Sequence, residues 1–140
     1  MGKILCATRG GEGSYRAQDE AIALAKVHDD ELVFLYVVDM HFLDKTSGAG
    51  VVDVESELTK MGEFLLLMAQ RRARKEGVYA QTVSYTGAVR EQIKRAAKEE
   101  QATLIVLGRP SGDASMFELP GVRTFADEIE EETGVETRVV

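Results

Sequence analysis

The 140-residue sequence has one cysteine, so no internal disulfide can form. Cys6 sits in the apolar run ILCAT, where a small buried hydrophobe is the expected role and a reactive thiol the exceptional one. No apolar run approaches the roughly 18 residues of a membrane-spanning helix, so no membrane partner is expected. The opening MGKILCATRGG carries one lysine before a short apolar run, and no small-residue cleavage site follows; a cytoplasmic location is expected. Basic charge is scarce: 17 Lys and Arg stand against 24 Asp and Glu, a net charge of -7. That argues against nucleic acid and anionic membranes, whose phosphates need neutralising. No GxxxxGK[ST] phosphate loop occurs, which excludes a P-loop ATPase. No nucleophile stands with a plausible base and orienter, so the protein is not expected to be an enzyme.

What is present is an alternation. Lys3–Thr8, Glu31–Val38, Tyr79–Tyr85, Thr103–Gly108 and Glu136–Val140 read as strands. Between them run four helical patterns. The first is capped by Ser14 and carries Ala17, Ala21 and Ala25 at helical spacing. The second is capped by Asp53, with an expected inner stripe of Val54, Leu58, Met61, Leu65, Met68 and Arg72, and ends at Gly77. The third opens at Gly87, with Val89, Ile93 and Ala97 inward and a Glu91–Arg95 surface pair; Arg90 reads as part of its outer surface. The fourth spans Gly121–Thr133, with Phe125 and Ile129 inward. Asp39–Val52 is expected to be a loop, and its D-x-H-x-x-D run (Asp39, His41, Asp44) a solvated turn rather than a metal site. His28 suits the negative end of the first helix.

Strands alternating with helices imply an α/β fold, a parallel sheet with right-handed crossovers in one domain over residues 1–140. KILCAT and TLIVLG are apolar on both faces and belong in the centre; YAQTVSY and ETRVV are half polar and suit edges. The order 3-2-1-4-5 satisfies both. In that order the carboxyl ends of strands 1 and 4 border a switch point, where such sheets bind ligands. The two connections there, TRGGEGS and GRPSGDASMFELPG, are Gly-rich, lead to helix N-termini, and gather Arg9, Arg109 and Arg123. A small anionic ligand is one reading. Surface ion pairs, Arg9 with Glu12 and Arg109 with Asp113 or Glu118, are the plainer one.

Four features resemble the universal stress protein family: KILCATRGGEGSYRAQDEAIALA, LYVVD, YTGAVREQIKRAAKEEQATLIVLG and VETRVV. The resemblance implies a Rossmann-like fold of order 3-2-1-4-5, a role in stress response, and a homodimer formed through the last strand, 136–140. Some members bind ATP or AMP and others do not. Binders carry glycine, two residues, glycine, nine residues, glycine, then serine or threonine after strand 4, and tend to have an aspartate ending strand 1. Here Gly108 and Gly121 match, Ser111 stands at the second glycine with Gly112 beside it, and Val122 replaces the hydroxyl. Thr8 and Arg9 stand where the aspartate is expected, and Pro110 removes an N–H donor. The candidate nucleotide- or anion-binding set is therefore Thr8, Arg9, Gly10, Gly11, Val38, Asp39, Gly108, Arg109, Ser111, Gly112, Gly121, Val122 and Arg123. A dimeric interaction protein without nucleotide remains the alternative.

Overall fold

Five parallel strands form one sheet in the order β3-β2-β1-β4-β5, as expected. The computed structural model describes residues 2–9, 12–39, 50–109 and 115–140. The strands are β1 Lys3–Ala7, β2 Glu31–Val38, β3 Ala80–Thr86, β4 Leu104–Leu107 and β5 Glu136–Val139, and the helices are α1 Glu12–His28, α2 Gly50–Lys75, α3 Val89–Glu99 and α4 Ser115–Thr133. Register follows directly: Leu5 lies beside Val33 of β2 and Ile105 of β4. Because side chains alternate along a strand, the sheet carries two separate cores. Ile4, Cys6, Phe34, Tyr36 and Val38 face α1 and α2. Leu5, Val33, Leu35, Ile105 and Leu107 face α3 and α4. The helices meet the sheet largely through alanines: Ala17, Ala21 and Ala25 of α1, Ala69 and Ala73 of α2, and Ala96 and Ala97 of α3 are all buried. Their small size lets the helix axes come close.

Three helix boundaries differ from expectation. α1 begins at Glu12, so Ser14 lies within its first turn rather than capping it; its hydroxyl accepts the Arg9 N–H at 3.0 Å. α2 begins at Gly50, which puts Asp53 inside the helix. α4 begins at Ser115, so the expected long connection after β4 is shorter and Pro120 lies within the first turns of the helix. As the sixth residue it lies beyond the first four N–H groups, which have no intrahelical partner, so it removes one intrahelical hydrogen bond. The expected Glu91–Arg95 pair is replaced: Arg95 reaches forward to Glu99 at 2.9 Å, and Glu91 lies 4.0 Å from Lys94.

The buried stripe of α2 also lies one residue away from the expected one. Gly62, Leu66, Ala69 and Ala73 face the sheet, and of the expected stripe Leu58 and Leu65 pack against the same core, while Met61 is 54% exposed. The apolar pattern alone favoured the bulkier residues. The sheet selects the small ones, because a Cβ on Gly62 would lie 2.2 Å from the Tyr36 ring. Gly77 ends the segment as expected: at φ +80° its N–H reaches back to the Arg74 carbonyl at 2.9 Å. Burial pushes the Cys6 thiol up to about 12.

Leu66→Ala is expected to destabilise the fold by about 2–5 kcal/mol in urea unfolding, and Met61→Ala by under about 0.5 kcal/mol. Similar losses would refute the reassigned face. Cys6 is expected to stay unmodified by a thiol reagent at pH 8 until the chain unfolds, since the raised value keeps it protonated in the native state throughout the range below it.

Candidate functional site

β1 leads into α1 on one face of the sheet, and β4 leads into α4 on the other. The two connections therefore diverge, and a cavity of about 130 Å³ opens between them. It lies on the α3–α4 side. Ala7, Leu35, Val37 and Leu107 form its floor, and Val89, Ile93, Val122 and Phe125 its walls. Thr8, Arg9, Ser14 and Gly108 complete the lining.

The edge of this cavity depends on two glycines. A Cβ on Gly13 would lie 2.1 Å from the Arg109 carbonyl oxygen, and one on Gly108 would lie 2.2 Å from the Gly13 carbonyl oxygen. Backbone cannot yield as the tip of a side chain can, so both positions exclude any residue but glycine. The glycine at 108, expected as a place for close ligand approach, is required first by contact with its neighbouring loop.

Next to it, Thr8 is buried and held from both ends. Its N–H donates to the Leu35 carbonyl at 2.8 Å, and its Oγ1 accepts from Gln18 Nε2 at 2.6 Å. The Gln18 Oε1 accepts from Arg72 Nη1 at 2.6 Å. Arginine only donates, so it fixes which end of the Gln18 amide faces Thr8. Arg72 also pairs with Asp19 and lies 4.9 Å from the centre of the Tyr15 ring. A polar chain thus runs from the end of β1, through α1, to α2. The Arg72 expected on the inner stripe serves this chain.

The candidate residues divide accordingly. Thr8, Arg9, Gly108 and Val122 line the cavity, with Val122 an apolar wall rather than an anion ligand. Val38 points to the opposite face of the sheet, among the residues packed under α1 and α2. Asp39 accepts the Val89 N–H at 3.2 Å and so braces the start of α3. Arg109 is exposed; its N–H donates to the Val140 carbonyl at 3.0 Å, extending the pairing of β4 with β5. Arg123 forms an exposed pair with Asp127 at 3.2 Å, so it is not gathered at the cavity. Gly121 lies in α4 beside Arg90. Gly10, Gly11, Ser111 and Gly112 lie outside the described residues, as do His41 and Asp44. Among the described residues no group of His, Cys, Asp or Glu side chains could hold a metal ion.

Arg90 is exposed, as expected for the outer surface of α3, but its contact with a wall of the cavity was not expected. Its guanidinium carbon lies 5.0 Å from the centre of the Phe125 ring, which lines the cavity. The one signal available was a cation in the first turn of a helix, where the helix dipole favours acids. α3 and α4 are joined there by Lys94, which donates to Glu128 at 2.8 Å and also binds Glu132. The Lys94 hydrogen bond, assisted at longer range by Arg90, holds the Glu128 carboxyl below the usual carboxylate range.

Comparison with known proteins shows the lineage of this geometry. The model of the universal stress protein family matches residues 1–117. The chain belongs to the universal stress protein family. It is 32% identical over 114 residues to universal stress protein YxiE of Bacillus subtilis, covering 76% of this chain and 77% of that one. A family protein from Burkholderia pseudomallei superposes with a TM-score of 0.74 at 27% identity, over 99% of this chain and 95% of that one. A family protein from Arabidopsis thaliana, solved with AMP bound, shares the fold at a TM-score of 0.68 and 15% identity, over 100% of this chain and 91% of that one.

Gly108→Ala is expected to cost about 1–3 kcal/mol in urea unfolding, through forced separation of the two loops. An unchanged midpoint would show that Gly13 and Gly108 do not meet.

Proposed function

We propose that this protein is a binding module of the stress response, holding an adenine nucleotide of the AMP type in the crevice between β1 and β4, and acting without catalysis of its own. The carrying observation is a mostly apolar cavity at the switch point with Arg9 on its lining. Whole-ligand pockets measure roughly 300–1,000 Å³, so a cavity of about 130 Å³ takes one planar ring and leaves the rest of a ligand outside. A nucleotide base suits that space, and a cation suits the phosphate that follows. The AMP-bound structure of the Arabidopsis relative supports the ligand class. Arg9, in place of the aspartate expected in binders, supports a contact scheme that differs from theirs.

A second reading, a dimeric interaction protein without nucleotide, is favoured by Val122 at the hydroxyl position and by the small cavity. Either form is proposed to be a cytoplasmic homodimer. β5 lies at the sheet edge, paired with β4 on one side, which leaves its other side open to a second copy.

AMP at 100 times its dissociation constant is expected to stabilise the fold by about 2.7 kcal/mol, read as a rise in Tm. No rise with millimolar AMP or ATP would favour the second reading. Sedimentation at micromolar concentration is expected to give twice the mass of the chain; a monomer would overturn the dimer.

A further inference from the structure

We infer that Arg90 is a ligand-binding residue, whose guanidinium receives the anionic group of a ligand whose planar ring fills the cavity. This rests on the nucleotide reading above and names the phosphate contact that reading lacks.

Three observations carry it. The first is position. Arg90 is the second residue of α3, whose first residue, Val89, lines the cavity, as does Ile93 one turn on. A cation in this turn opposes the helix dipole and adds nothing to the helix itself. The second is the balance of charge. The other cations of this part of α3 are paired, Lys94 with Glu128 and Glu132 and Arg95 with Glu99. Among the described residues Arg90 makes no ion pair. Glu128 acts on it only at longer range, and that carboxylate already accepts from Lys94.

The third is orientation. The guanidinium lies against Phe125, with its carbon 5.0 Å from the ring centre. A cation held over a ring by its charge keeps N–H donors available to an anion. Gly121 lies beside it: Nη2 of Arg90 is 3.9 Å from where a Cβ at 121 would sit, an ordinary contact distance. Val122, the next residue, is a cavity wall. Phe125 thus borders the cavity and also touches Arg90, which is not itself part of the lining. A phosphate leaving the cavity over α3 meets Arg90.

Calorimetric titration of AMP and of adenosine into the wild type, Arg90→Ala and Arg71→Ala tests this. Arg71 is an exposed arginine of α2, on the other face of the sheet. The expected result is a roughly 10- to 100-fold weaker Kd for AMP in Arg90→Ala, with adenosine unchanged and Arg71→Ala like the wild type. If AMP binds Arg90→Ala as well as it binds Arg71→Ala, the inference fails while the nucleotide reading stands. An equal loss for AMP and adenosine would make Arg90 a wall of the cavity and would also overturn the anion contact. If AMP does not bind the wild type, both fall.

Discussion

The crevice depends on a contact between two backbones. Gly13 and Gly108 let the start of α1 and the end of β4 touch with no side chain between them. Because the two connections leave the sheet towards opposite faces, they have to pass each other at that point. Their closeness sets the width of the opening. It places Thr8, Arg9 and Ser14 on one side and Leu107 and Gly108 on the other. A larger residue at either glycine would part the loops, and the cavity would change shape with them.

The rest of the site is braced from outside the cavity. Ser14 holds the turn after β1 through the Arg9 N–H, so the one charged group in the lining among the described residues stands on a tied backbone. Asp39 holds the start of α3, and Lys94 ties α3 to α4. Arg72 orients Gln18, which in turn orients Thr8. These are polar contacts from both faces of the sheet, and they converge on its carboxyl end. The two apolar cores below supply the stability, and the polar chain supplies the alignment.

The glycine pattern after β4 has two layers of meaning. Gly108 is required by packing against a neighbouring loop, whereas a Cβ at 121 would meet the Arg90 side chain only at an ordinary contact distance of 3.9 Å. The role of Gly108 needs no phosphate beside it. A glycine that matches a nucleotide-binding pattern can therefore be required by packing alone. Arg9 stands in the lining where the resemblance leads one to expect an acid.

Much of the architecture was legible in the order of residues. Alternating apolar strands and helical stripes imply a parallel sheet, and the polar character of YAQTVSY and ETRVV sends them to the edges. The crevice followed from that order, because the switch point is a property of topology. The lining was legible in part, at Thr8, Arg9, Gly108 and Val122. The misplacements share a cause. Periodicity ranks residues by bulk and hydropathy, and so chose Met61 over Gly62 and Ala69 for the inner face of α2, where close approach to the sheet excludes a side chain at 62. Nor can periodicity report a contact between residues far apart in the chain. Thr8 with Gln18 and Arg72, Gly13 with Gly108, and Arg90 with Phe125 exist because folding brings separate elements together. The order of residues alone determined the layers, the strand order and the place of the crevice. Which arginines face that crevice was decided by tertiary packing, since a side chain's partner depends on distance in space and not on separation in sequence.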